Sequence, residues 1–202
     1  MRGTKVIWRI LTSVTFLFCL VLSAEAGVID QWANSVIDYS SQYDSGAWSA
    51  AQALGAPDTF DYGDIVTAWA PEPDNGTLEY ITLGYSTPVY ASSITIRETC
   101  GNGFVYRVDI LDQSNVLHTV WTGTDPSLPG NPADFLVSFA ETPFLVTGVK
   151  IYTDTNHDLD TWEEIDAVQL LGSTTHAPVP PTLFLLGSGL AGLVGWRRFR
   201  KS

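Results

Sequence analysis

"ASSITIRETCGNGFVYRVDILD" (91–112) decides the fold of this chain. Ile94 and Ile96 alternate with Thr95 and Arg97, and Tyr106, Val108 and Ile110 alternate with Arg107 and Asp109. That two-residue period is the pattern of a strand with one buried face. Between the runs, Gly101-Asn102-Gly103 is a turn signal. Moving outward, the same grammar repeats. "EYITLGYS" (79–86), "VLHTVWTG" (116–123), "FLVSFA" (135–140), "TGVKIYTD" (147–154) and "EIDAVQLLG" (164–172) are short and rich in β-branched and aromatic residues. Asp112-Gln113-Ser114-Asn115 and the Pro/Gly-rich 123–133 separate them. Helical periodicity is absent except for a turn or two at Ser49–Leu54. Regular short strands between turn signals predict an all-β, antiparallel β-sandwich of jelly-roll type over residues 27–173.

The two ends are of a different character. Arg2, Lys5 and Arg9 precede the apolar run Ile10 to Leu22, and Ala24-Glu25-Ala26 offers small residues where a signal peptidase reads. Residues 1–26 therefore read as a secretory signal peptide, cut between Ala26 and Gly27. Cys19 follows Phe18, where a lipoprotein signal needs a small residue, so no lipid anchor is expected. At the other end Leu183 to Trp196 carries no charge over 14 residues. At ~1.5 Å per residue it reaches roughly 21 Å, short of the ~30 Å hydrocarbon core. Small residues recur four apart (Gly187/Ala191, Ser188/Gly192), a spacing that lets helices approach closely in lipid. Four of the chain's ten bases then crowd into its last six residues. A short membrane-inserted helix with a cytoplasmic positive stop accounts for both features.

Those bases leave the middle of the chain nearly bare of cations. Between the terminal segments only Arg97, Arg107 and Lys150 remain, against every acid but Glu25, a formal balance of −18 from 3 bases and 21 acids. Nucleic acid is excluded as a partner, because its phosphates demand Lys and Arg. Once the signal is removed Cys100 is the sole cysteine, so no internal disulfide can form and a buried thiol is expected.

The tail resembles a PEP-CTERM sorting signal: a proline motif, a short Gly-rich apolar helix, then an Arg-rich end. Here those parts are Val179-Pro180-Pro181 at the close of a 174–181 linker, the helix of 182–202, and Arg197, Arg198, Arg200 and Lys201 around Phe199. The motif departs from Pro-Glu-Pro in lacking the acid. The resemblance implies processing by a membrane exosortase in a Gram-negative bacterium that makes exopolysaccharide, with transient inner-membrane anchoring before cleavage.

The domain itself resembles the discoidin-like (factor V/VIII C-type, galactose-binding-like) jelly roll. "SSQYDSGAWSAAQALGAPDTFDYGDIVTAWAP" (40–71), "SITIRET" (93–99) and "WEEIDAVQLLG" (162–172) carry the likeness: a loop with Ala-Leu-Gly-Ala-Pro-Asp leads to a Trp, and the final strand opens with Glu-Ile. Members bind glycans, lipids or proteins through loops at one end of the sandwich, often beside a structural calcium. Carried over residue by residue, the resemblance implies one calcium held by Asp58 and Glu164, with Asp61 an additional carboxylate. Hard cations take six to eight oxygens, so carbonyls would complete such a shell.

A second acidic loop, "DTNHDLDTWEE" (154–164), places Asp154, Asn156, Asp158 and Asp160 at positions 1, 3, 5 and 7 of an EF-hand count. Leu159 stands where Gly is needed and Ile165 where the closing Glu is needed, so it reads as a solvated loop. Among the domain's tryptophans, Trp69 and Trp121 are assigned to the core. Trp162 in the acidic loop and Tyr62 in the early loop are the candidates for stacking on a ligand. Catalysis is not expected: His118, His157 and His176 share no ligand spacing, and Gly187-Ser188-Gly189 lies in the tail helix, away from any nucleophile elbow. The sequence thus predicts an exported, non-catalytic surface or matrix protein that binds or organises exopolysaccharide. A structural or adhesive protein with protein partners is the alternative.

Overall fold

The computed structural model describes residues 27–159 and 161–176. They form eight strands: β1 (Val28–Trp32), β2 (Ser35–Tyr39), β3 (Leu78–Cys100), β4 (Val105–Asp112), β5 (Leu117–Thr122), β6 (Ala133–Ser138), β7 (Val146–Asp154) and β8 (Glu164–Ser173). A single 3-10 turn, Ala50–Ala53, falls where the sequence allowed a turn of helix. Every pairing is antiparallel. One sheet runs β2-β3-β7-β4-β5 and the other β1-β8-β3-β6.

β3 belongs to both sheets. The sequence reads it as two strands, 79–86 and 91–99, because Thr87-Pro88 interrupts the pattern. In the structure the ladder to β7 breaks between Gly84 and Val89, and β8 takes over from Tyr90. Pro88 lies in that gap, where its missing N–H costs no ladder bond. The Gln31 amide satisfies the backbone beside it: Gln31 Nε2 donates to the Thr87 carbonyl (2.6 Å) and the Thr87 N–H donates to Gln31 Oε1 (3.2 Å).

The core sits between the two layers. Ile81, Leu83, Val108, Ile110, Val149 and Ile151 come from one sheet, and Ile94, Ile96, Phe135, Val137, Val168 and Leu170 from the other. β4 departs from strict alternation at its start. A register shift between Val105 and Arg107 turns Tyr106 out of the apolar row, where its ring meets Tyr152 at 6.0 Å, and Val105 is buried instead. Trp69 is wholly buried, and Trp121 packs edge-on against Phe135 at 5.0 Å on the margin of the core. Cys100 is buried, with its sulfur 3.1 Å from the Thr161 hydroxyl.

Two strands escape the sequence reading. β1 and β2 have five residues each and are largely exposed, so neither shows a clear apolar alternation. The signal peptide, the Val179-Pro180-Pro181 motif, the sorting helix and its basic end lie outside the described residues. Among those described, no helix is long and apolar enough to cross a membrane.

Candidate functional site

The loop 40–76 crosses one end of the sandwich and is tied to the start of β8. Trp69 N–H donates to the Ile165 carbonyl (2.8 Å) and Ile165 N–H donates back (3.0 Å). With the Ile165 side chain committed to the core, strand alternation presents Glu164 and Asp166 together toward that loop. Both are buried.

Each acid acquires a different acidic neighbour. Asp166 Oδ1 accepts the N–H groups of Thr59 (3.2 Å) and Asp58 (3.4 Å), with the Asp58 carboxyl beside it. Burial pushes its carboxyl above the usual range. The hydroxyls of Thr59 and Thr67, 2.6 Å apart, add oxygens on this side. Glu164 Oε2 accepts the Ile65 N–H (3.3 Å) and faces Asp64; burial foremost, then Asp64, raises its carboxyl to about 9. Asp58 and Glu164 therefore join separate carboxylate pairs. Asp61 is exposed and makes no hydrogen bond or ion pair among the described residues.

Beside the Asp64–Glu164 pair lies a cavity of about 40 Å³ lined by Tyr43, Trp48, Asp64, Ala70 and Trp162. The Tyr43 ring stands edge-on to both indoles, 5.3 Å from Trp48 and 5.4 Å from Trp162. Trp48 holds a left-handed backbone, φ 51°, costly for a bulky side chain. Two backbone bonds fix it there, Trp48 N–H to the Val66 carbonyl (3.1 Å) and Ala70 N–H to the Trp48 carbonyl (3.2 Å). The indole N–H groups of Trp48 and Trp162 are buried and close no hydrogen bond, as is Glu164 Oε1. Unpaired buried polar atoms at one place mark a site built for something more than packing.

Of the sequence candidates, Trp162 lines this cavity and Tyr62 does not. Tyr62 serves the scaffold: its hydroxyl accepts the Gly101 N–H (3.1 Å). Gly101 has φ 64°, and a Cβ there would stand 2.7 Å from the Trp162 carbonyl, so the 101–103 turn and the Trp162 segment are in close contact. Tyr43, Trp48 and Asp64 were missed, since an irregular loop offers no periodicity to single them out.

Other acidic features are self-contained. In the loop after β7, Asp154 Oδ1 accepts the Asn156 N–H (3.0 Å) and Asn156 Oδ1 accepts the Gly76 N–H (3.1 Å). This is the turn chemistry of a solvated loop. Asp160 lies outside the described residues. The histidines are scattered: His118 meets Asp112 (2.9 Å), His157 the Asn102 carbonyl (3.0 Å), and His176 Glu141 (3.3 Å). Glu98 is buried and carries a raised carboxyl, to about 10, from burial and then from Asp125.

No base reaches the site. Arg97 pairs with Asp134 (3.1 Å), Arg107 with Asp109 (2.6 Å), and Lys150 lies over the Tyr80 ring at 3.3 Å. The residues present suit a hard cation at the Asp58–Asp166 pair, where Asp166 Oδ2 has no partner and threonine hydroxyls stand close by. No three His, Cys, Asp or Glu side chains converge among the described residues, so hydroxyls, carbonyls or water would have to complete the shell.

Fold and site together define a jelly-roll module whose functional end is formed by the loop before β3 and the start of β8. Residues 22–180 match the family described as the pappalysin-1 SD scarf domain, C-terminal, and the chain belongs to that family. Residues 176–201 match the PEP-CTERM protein-sorting motif, which marks an exported protein. Among solved structures, the fold is similar to a family 32 carbohydrate-binding module of C. perfringens NanJ in complex with galactose. That likeness has 17% identity and TM-score 0.51, covering 71% of this chain and 99% of the other. It is also similar to the lectin-binding domain of lectinolysin complexed with Lewis b, at 17% identity and TM-score 0.50, covering 70% and 95%. Allantoicase of Saccharomyces cerevisiae shares the fold at 13% identity and TM-score 0.51, covering 72% of this chain and 43% of the enzyme. No curated protein matches the chain. At these identities the structures establish a discoidin-like β-sandwich, as the sequence predicts.

Proposed function

We propose that the protein is an exported, non-catalytic carbohydrate-binding module that holds extracellular polysaccharide at the surface of a Gram-negative cell. One observation carries the reading: three aromatic rings surround a cavity at the loop end of a discoidin-like sandwich, with an acid in its wall. Aromatic faces stack on the C–H faces of sugars, and a few fixed polar groups supply orientation. The PEP-CTERM motif supports the place of action: an exosortase would remove the tail after the inner membrane has held it transiently.

A structural calcium fits the same reading. Asp58 and Asp166 would hold it, with the hydroxyls of Thr59 and Thr67 as neutral donors, and Glu164 and Asp61 are the further carboxylates implied by the family resemblance. The ion would tie the early loop to β8 and so fix the loop that carries Tyr43 and Trp48.

Binding of the purified full chain to an array of bacterial polysaccharides tests the function. The expected result is retention of one polysaccharide class, lost in the Trp162→Ala variant. Equal retention by that variant would move the site elsewhere, and binding to surface proteins alone would favour an adhesive role.

A further inference from the structure

We infer that the Tyr43–Trp48–Trp162 cavity takes the protonated amine of an amino sugar, so that the polysaccharide held here carries unacetylated amino groups. This rests on the carbohydrate-binding reading and names the ligand of that same site.

The two carboxylate pairs at this end of the fold have different surroundings. Asp58 and Asp166 look onto threonine hydroxyls and backbone, an oxygen-rich setting for a metal ion. Asp64 and Glu164 look onto aromatic rings, which offer a calcium ion no ligand. Rings and a carboxylate are, however, the ordinary receptor for an organic ammonium: the ring quadrupole attracts the cation and the acid takes its N–H bonds. Three rings set edge to edge at 5.3 and 5.4 Å make such an enclosure.

Charge narrows the choice. Glu164 is wholly buried with Oε1 unpaired, and no Lys or Arg among the described residues pairs with it or with Asp64. A neutral sugar would leave this pair without a counter-ion. An anionic glycan would meet both the pair and a domain of formal balance −18, read from the 3 bases and 21 acids of its sequence. Size narrows it further. A cavity of about 40 Å³ admits a substituent rather than a pyranose ring, given that one water fills about 30 Å³ of liquid. The ring itself would lie against Tyr43, which is half exposed at the rim.

The test is calorimetric titration of the full chain, purified in mild detergent, with the β-1,4-linked glucosamine tetramer and with its fully N-acetylated counterpart. The amine form should bind at least tenfold more tightly. Asp64→Asn should remove that preference without affecting the residual binding of the acetylated form, whereas Asp30→Asn, on exposed β1, should leave it intact. Trp162→Phe should weaken binding while the melting temperature stays unchanged. Equal or tighter binding of the acetylated tetramer overturns the amine and leaves the carbohydrate reading standing. Tetralysine binding as tightly as the amino sugar, or equal losses in Asp30→Asn and Asp64→Asn, would reduce the effect to bulk charge and overturn the inference. Failure of both tetramers, with other glycans retained on the array, overturns it too. Failure of every glycan overturns the function on which it rests.

Discussion

Glu98 shows how single residues set the pH response of this domain. Its carboxyl is buried, accepts the Gly103 N–H at 2.9 Å, and is raised from 4.5 to about 10 by burial and by Asp125. A group raised on folding stabilises the fold below its unfolded value, and that contribution is lost as pH climbs toward the folded one. Stability should therefore fall between about pH 4.5 and 10, by at most ~1.4 kcal/mol per pH unit for one proton. Urea denaturation at pH 5, 7 and 9 should show the Glu98→Gln variant gaining on the parent as pH rises, while parallel profiles would mean that Glu98 ionises freely. At this scale the sequence was informative only where a residue stood out from its surroundings. Trp162, flanked by acids, was recognisable as a ligand candidate. Tyr43 and Trp48 gain meaning only when the loop folds back over β8. Likewise nothing in the chain indicates that Asp58 meets Asp166 while Glu164 meets Asp64, across separations of about a hundred residues.

Among elements, β8 and the second half of β3 form the seam on which the site stands. Gly172 lies in that seam, and a Cβ there would come within 2.5 Å of the Tyr90 carbonyl and 2.8 Å of Val89 Cγ2. Neither can yield cheaply, so Gly172→Ala should cost ~1–3 kcal/mol. Gly46→Ala, with nothing within 4 Å, should stay within about 0.5 kcal/mol. Thermal melts of the two variants compare them directly; equal melts would contradict the register of β3 with β8. Ile94→Ala, at a wholly buried position of the same seam, should cost ~2–5 kcal/mol. The strands with a buried face, β3 through β8, were legible because burial imposes alternation. β1 and β2 were not, being short and mostly exposed, and the continuity of β3 was hidden by a proline placed where one partner strand replaces another.

The whole molecule is an acidic module carried between two sorting segments. Intact-mass measurement of the released protein should find a chain that begins near Gly27 and ends after Pro181; retention of Arg197 to Lys201 would contradict exosortase processing. If calcium links the early loop to β8, a chelator at matched ionic strength should lower the melting temperature by several degrees. A ligand that binds only the folded form at a hundred times its dissociation constant adds ~2.7 kcal/mol. Asp58→Asn should abolish that difference, and Glu164→Gln shows whether the second pair shares the ion. The central claim is that the aromatic cavity holds the polysaccharide, and the indole N–H resonances of isotope-labelled protein report on it most directly. During titration with the polysaccharide retained on the array, the account predicts that the Trp48 and Trp162 signals shift and saturate together, while Trp69 and Trp121 stay in place. Saturable binding that leaves Trp48 and Trp162 unmoved would contradict it.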